Sequence, residues 1–218
     1  MVNYHGSHDL AQETLAEIEA AGGQAILHKG DMTSPADVEG LVAKTIETFG
    51  ADIDILVNVA GGLVARKTID EMDLDFFNHV IQLNLNSTFL ITKAVVPHMS
   101  EGGSIIYFAS QAGRDGGGPG ASAYATSKGA VMTFTRSMAK ELGPKGIRVN
   151  SLCCGMISTR FHDTFSKPEG RIVVAGSTPL RREGAPDEVA HTVSFLASDE
   201  AAFVTGINMD VNGGLVFS

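Results

Sequence analysis

The sequence predicts an α/β fold, a doubly wound parallel sheet with helices on both faces. Three observations carry this. Stretches of helical periodicity alternate with short apolar runs along almost the whole chain. The central runs, ILVNVAG and SIIYFAS, are continuous rather than alternating, as strands covered on both sides are. No repeat period, low-complexity tract or linker interrupts the 218 residues, so the strand–helix units are expected to share one sheet in one domain, residues 1–218.

The elements follow in order. Residues 9–23 place apolar side chains at helical spacing and end in glycines that suit a helix stop. Residues 25–31 read as a short strand. The next helix opens with Ser34 as N-cap, Pro35 at the first helical position and Asp37 three residues after the cap, and it ends at Gly50. Residues 53–61 read as a strand buried on both faces, and residues 73–99 as a long helical region. A second buried strand spans 103–110. The glycine-rich loop after it leads to a helix that carries Tyr124 and ends near Gly143. Residues 146–154 form the next strand, 155–184 an irregular stretch of weak periodicity, 186–199 a helix and 206–214 a last short strand.

Bulk chemistry narrows the function. The net charge of −9 and a pI near 5.2 argue against a nucleic-acid partner, which needs a basic face. No apolar run reaches membrane-spanning length and the first residues lack the apolar core of a signal peptide, so a cytoplasmic location and no membrane partner are expected. The two cysteines, Cys153 and Cys154, are adjacent; they offer neither a disulfide framework nor zinc spacing and read as small buried hydrophobes. No metal site is expected.

Sheets of this class bind ligands outside the carboxyl ends of their strands. Asp31, residues 58–61, Ser110 and residues 154–159 all sit at or just past strand ends and so converge on one edge. Tyr124 and Lys128 lie one helical turn apart on the helix that follows Ser110. A fixed ammonium favours a phenolate and lowers the pKa of a tyrosine, which suits it to proton transfer near neutral pH. A serine hydroxyl at Ser110 could hold a substrate carbonyl against it. Each residue also has a plain structural role open to it: Ser110 as a turn cap, Tyr124 as a half-buried aromatic, Lys128 as a solvated charge.

These residues and their order resemble the short-chain dehydrogenases/reductases over nearly the whole chain. YATSK is similar to that family's Tyr-x-x-x-Lys, with Ser110 in the place of its serine. NVAG (58–61) resembles Asn-Asn-Ala-Gly with Val59 at the second position, and NLNSTF (84–89) the helix segment that carries the family's asparagine. CGMIST (154–159) resembles Pro-Gly-x-Ile-x-Thr with Cys154 for proline, and residues 203–214 the closing strand. The resemblance implies a Rossmann-like fold and hydride transfer between a nicotinamide cofactor and a small-molecule carbonyl or secondary alcohol. It implies Tyr124 as acid and base, Lys128 tuning it and holding the nicotinamide ribose, Ser110 orienting the substrate oxygen and Asn84 a relay water. Asp31 and Met32 would meet the adenine, Asn58, Ala60 and Gly61 line the cleft, and Ile157 and Thr159 touch the carboxamide and pyrophosphate. The alternative reading of Asn84 is a polar group closing a helix irregularity, and of Asp31 a turn or cap residue.

The family's opening strand, glycine-rich turn and helix are expected to be absent from this chain, MVNYHGSHD matching the end of its second strand. A start downstream of the natural one is preferred over a true short variant or a loss of cofactor binding, and an extended chain is expected to be more stable and to bind cofactor more tightly. Residues 113–122 lack the spacing of a phosphate loop and read instead as a mobile loop beside the site. Tyr4 stands where an NAD-preferring relative carries a carboxylate, followed by His5 and Ser7, so NADP(H) is slightly favoured over NAD(H), with Asp9 counting against this. Residues 155–184 correspond to the substrate lid. Within it, over residues 158–182, Arg160, Lys167, Arg171, Arg181 and Arg182 against Asp163 and Glu169 hint at an anionic substrate, a keto sugar acid or a 3-oxoacyl thioester, unless these charges face solvent. A homo-oligomer, dimer or tetramer, is expected by analogy through the long helices. The alternative function is a catalytically silent relative serving as a binding or assembly module.

Overall fold

A computed structural model describes residues 1–217. The chain alternates strands and helices as its periodicity predicts: β1 (Val2–Tyr4), α1 (His8–Ala20), β2 (Leu27–Lys29), α2 (Pro35–Phe49) and β3 (Ile55–Asn58). There follow α3 (Leu74–Ile81), a π-helical turn (Gln82–Asn86), α4 (Ser87–Val95), β4 (Ser104–Phe108), α5 (Ala112–Asp115), α6 (Ser122–Leu142) and β5 (Arg148–Cys154). α7 (Arg160–Phe165), α8 (Pro168–Ser177), α9 (Pro186–Ala197) and β6 (Asn208–Val211) complete it.

All strand pairs are parallel. β3, β4, β5 and β6 form one sheet in that order, and β1 pairs with β2 in a second. Alternation along β4 and β5 shows why helices must cover both faces. Ile105, Tyr107, Val149 and Cys153 point to one side and pack on Val131, Met132, Ala139 and Leu142, the last four from α6. Ile106 and Leu152 point to the other and meet Val189 and Leu196 of α9. A third cluster, Met32, Val38, Leu41 and Val42 with Ile91 and Val95, joins α2 to α4. Cys153 is buried and Cys154 part-buried, both free.

The start of α2 forms as its sequence dictates. The Ser34 hydroxyl accepts from the Asp37 amide at 3.3 Å, Pro35 opens the helix and Gly50 closes it at φ 103°.

Five expectations change. The strand–helix units do not share one sheet, since β1 pairs only with β2 among the described residues. The 53–61 run yields only the short β3, and it is not covered on both sides: Ile55 is 48% exposed and Val57 39%. Its edge away from β4 has no strand partner among the described residues. The 73–99 helix is broken by the π turn around Asn84. The glycine loop before α6 contains the one-turn helix α5. The stretch 155–184 is not irregular but holds α7 and α8, each too short to show a clear period.

Leu152, fully buried between β5 and α9, and half-exposed Ile55 define opposite limits of packing. Leu152→Ala is expected to cost about 2–5 kcal/mol and Ile55→Ala under about 1 kcal/mol, measured by urea unfolding.

Candidate functional site

The site is assembled where β3, β4 and β5 end. Lys128 is the most constrained group in it. One turn after Tyr124 on α6, it is 4% exposed, and its Nζ donates to the Phe108 carbonyl, the last residue of β4, at 2.6 Å. Burial pushes its pKa down to about 8. Gly61, just beyond β3, closes over it. A Cβ on Gly61, at φ 149°, would stand 3.1 Å from Lys128 Nζ and 2.5 Å from Asn84 Oδ1, so only glycine fits.

Asn84 explains that fit. It is fully buried in the π turn. Its Oδ1 accepts from the Gly62 amide at 2.9 Å, and its Nδ2 donates to the carbonyls of Gly62 at 2.9 Å and Val80 at 3.0 Å. Thr88 Oγ1 donates to the Asn84 carbonyl at 2.8 Å, and Asn58 Nδ2 donates in turn to Thr88 Oγ1 at 2.9 Å. Both amide hydrogens of Asn84 are therefore engaged by backbone. Its side chain closes a helix irregularity and braces the Asn58–Gly61 turn, while Ala60 packs against the α2–α4 cluster.

Tyr124 is part-buried, with its ring 5.8 Å from Lys128 Nζ and 5.9 Å from the Phe161 ring of α7. Its pKa is raised, foremost by burial; the Ser110 hydroxyl pulls it back, and Cys154 adds to the rise. The lowering expected from the lysine does not emerge. Removing water from a phenolate outweighs an ammonium whose hydrogen bond goes to the Phe108 carbonyl. Ser110 Oγ also accepts from the Ala112 amide at 3.2 Å, so the serine ties down the start of α5 and keeps its own hydrogen to donate. Burial raises the Cys154 thiol to about 11, leaving it protonated and inert at neutral pH.

The other expected contacts divide. Asp31 Oδ1 accepts from the amide and hydroxyl of Thr33, both at 2.8 Å, which together with the positive influence of nearby His5 holds its carboxyl below the usual range. Asp31 thus holds a turn, and its own amide donates to Asp37 Oδ2 at 2.7 Å. His5 is exposed beyond β1. Met32 is buried in the α2–α4 cluster, and Ile157 packs in the β5–α9 core while also lining a pocket with Met156, Gly184 and Asn212. Thr159 caps α7 with its carbonyl, which accepts from the His162 amide. Tyr4 donates to or accepts from His8 Nδ1 at 2.9 Å.

The lid corrects the charge count made above. Arg171 pairs with Asp163 and Glu183, and Arg182 makes a two-pronged contact with Glu188. Glu183 and Glu188 lie just past the counted stretch. Among the described residues Arg160, Lys167 and Arg181 make no ion pair.

Two residues near the site escape a sequence reading. Phe161 stacks toward Tyr124, and with Phe165 at i+4 forms an aromatic pair with ring centroids 5.1 Å apart; the Phe-x-x-x-Phe spacing was the available signal. Arg66 bonds residues 53 and 99 positions away, and nothing in the sequence marks it.

A buried ammonium, a phenol and a hydroxyl at the strand ends, beside a glycine turn shaped by Asn84, fit the nicotinamide-ribose end of a dinucleotide. This is the site of a parallel-sheet α/β oxidoreductase. A family model described as "Enoyl-(Acyl carrier protein) reductase" matches residues 2–216. A 3-oxoacyl-[acyl-carrier-protein] reductase of a Synechocystis species is 39% identical over 99% of this chain and 86% of its own length. An L-rhamnose 1-dehydrogenase (NAD(P)(+)) of a Sphingomonas species is 37% identical over 98% of this chain and 85% of its own. The crystal structure of a short chain dehydrogenase from Burkholderia cenocepacia in complex with NADP superposes with a TM-score of 0.90 at 30% identity, covering 98% of this chain and 85% of that one. The chain belongs to the short-chain dehydrogenase/reductase family of NAD(P)-dependent oxidoreductases.

A lysine whose folded pKa lies near 8, below its ordinary 10.5, binds fewer protons folded than unfolded between those values. Its burial therefore costs stability below pH 8, and the cost is relieved as pH rises towards 10.5. Lys128→Met is expected to remove this relief: urea unfolding at pH 8 and pH 10 should show the wild type gaining on the variant at the higher pH.

Proposed function

We propose that this protein interconverts a carbonyl and a secondary alcohol on a small-molecule substrate, using NADP(H) in preference to NAD(H). The observation that carries the reading is the meeting of Ser110, Tyr124 and Lys128 at the end of β4, with the phenol between a hydroxyl and a buried ammonium. A bound nicotinamide supplies or accepts hydride. Everything else falls to the chain.

In the reducing direction Ser110 donates its free hydroxyl hydrogen to the substrate carbonyl oxygen and holds it at the phenol. Tyr124, kept protonated at neutral pH by burial, gives its proton to that oxygen as negative charge develops. Lys128, 4% exposed, stabilises the phenolate left behind and offers its remaining hydrogens to the ribose hydroxyls. Asn84 acts at one remove, by fixing the Gly61–Gly62 turn against which the cofactor would lie. The backbone around Ile157 and Thr159 closes the pyrophosphate side, and Asp31, Met32 and His5 the adenine side. The same phenol, deprotonated, would take the proton back in the oxidising direction.

NADP(H) preference rests on Tyr4, His5 and Ser7 following β1 with no carboxylate to repel a 2′-phosphate. Catalytic efficiency with NADPH is expected to exceed that with NADH. The substrate is assigned as a 3-oxoacyl thioester or a keto sugar acid, with Arg160 and Lys167 as the lid cations available to its anionic group, a smaller set than the sequence count implied. A cytoplasmic location and a homo-oligomer built through the long helices belong to the same reading.

The test is NADPH consumption with a panel of oxoacyl thioesters, keto acids and neutral ketones. Tyr124→Phe should lower kcat by roughly 10²–10⁴ while cofactor affinity holds. Turnover should also fall as pH rises through about 8, where Lys128 loses its charge. Undiminished turnover by Tyr124→Phe would sink the acid–base assignment, and no turnover of any carbonyl would favour the silent binding module.

A further inference from the structure

We propose that Arg66 is a positioning residue of the proposed reaction: it pins the lid helix α7, and with it the Phe161 ring, over the Tyr124 end of the cleft. The inference rests on the acid–base reading of Tyr124 given above.

Three segments distant in sequence meet at this one guanidinium. Its Nε donates to the carbonyl of Phe165, the last residue of α7, at 3.1 Å. Its Nη1 donates to the Pro119 carbonyl in the glycine-rich loop before α6, at 3.0 Å. Arg66 itself belongs to the loop that leaves the Gly61–Gly62 turn. Both acceptors are backbone carbonyls, and the first is a helix-terminal carbonyl without an intrahelical partner, where a cation is favoured.

α7 needs such a tie. It has six residues and no side-chain cap at its N-terminus, too little to hold a helix on its own. Arg171, on α8, pairs with Asp163 on the side that faces the rest of the lid. Among the described residues, the Arg66–Phe165 hydrogen bond is the polar tie between α7 and the loop that leaves β3. Phe165 packs on Phe161 at 5.1 Å, and Phe161 lies 5.9 Å from Tyr124. The anchored carbonyl is thus one aromatic contact away from the ring that faces the phenol.

The arginine's own loop is held under strain. Val64, a β-branched residue, sits at φ 66°, in the left-handed region that such residues rarely adopt. Such a turn persists only where both sides are fixed. Asn84 grips Gly62 on one side. On the other, the Lys67 amide donates to the Gly120 carbonyl at 3.1 Å. Gly120, at φ 74°, lets the arginine stem lie close: a Cβ there would be 3.0 Å from both Arg66 Cβ and the Lys67 amide. The loop is therefore built to deliver the guanidinium to one place, between the glycine loop and the lid.

A clasp of this kind governs how tightly substrate is enclosed, not the proton transfer itself. Hydrogen–deuterium exchange on the full chain tests it, with wild type, Arg66→Lys and Arg66→Gln compared. In Arg66→Gln, amides of residues 160–166 should exchange about fivefold faster or more, with β4 and β5 unchanged. Arg66→Lys, able to make one of the two bonds, should fall between. With a substrate that turns over, KM should rise about tenfold in Arg66→Gln while kcat stays within about twofold. Unchanged exchange over 160–166 overturns the proposal. Faster exchange that extends to β4 and β5 also overturns it, since Arg66 would then be a general stability residue. A loss in kcat with KM unmoved does the same. A Tyr124→Phe enzyme that remains active would instead overturn the acid–base reading and leave the exchange result standing, so the two failures are separable.

Discussion

The buried ammonium of Lys128 is the constraint on which the site depends. A desolvated cation is costly unless its hydrogens are used, and here one is used on the Phe108 carbonyl. That bond requires α6 to lie hard against the end of β4. The approach is close enough that a Cβ on Gly113 would be 2.8 Å from the Gly129 amide and 2.9 Å from the Lys128 carbonyl carbon. It also requires Gly61 on the far side and, behind Gly61, the Asn84 carboxamide in its π turn. A single charge thus dictates small residues on three segments and an interrupted helix on a fourth. Such π turns inside helices are often functional; this one lets a side chain reach sideways to hold a turn.

The same burial sets the chemistry of the neighbouring phenol. Tyr124 is held protonated, not primed as a phenolate. Lys128, with a pKa near 8, carries a charge that is conditional at neutral pH and lost not far above it. The pair is best described as an acid with a nearby, finely balanced counter-charge. The hydroxyl of Ser110, which accepts from the Ala112 amide while keeping a hydrogen to give, shows that a structural role and a chemical one need not exclude each other.

Much of this was legible in the sequence. The order of strands and helices followed from periodicity, and the start of α2 from Ser34, Pro35 and Asp37. The convergence of Asn58, Ser110, Tyr124 and Lys128 followed from their places at strand ends and on one helix face. Other features were hidden for physical reasons. The burial of Met32 and Ile157 in two different cores was not legible, because period and spacing do not say which way a side chain turns once a strand has ended. The lid's charges were counted without Glu183 and Glu188, because pairing depends on a fold-back that no local pattern encodes. α7 and α8 are shorter than the window in which a helical period emerges. The apolar run 53–61 looked like a covered strand because composition reports a residue's preference, not the neighbours it obtains.

One feature of the architecture bears on more than the site. Residues 1–50, carrying the β1–β2 sheet, α1 and α2, share no hydrogen bond with the remainder among the described residues; they dock through the apolar cluster that joins α2 to α4. Contact of that kind lacks directional bonds and loses strength on cooling, unlike a backbone ladder. The N-terminal quarter should behave as a separate foldon, opening at a lower free energy than the β4–β5 interior. The adenine half of the cleft would then be the cold-labile half of the molecule.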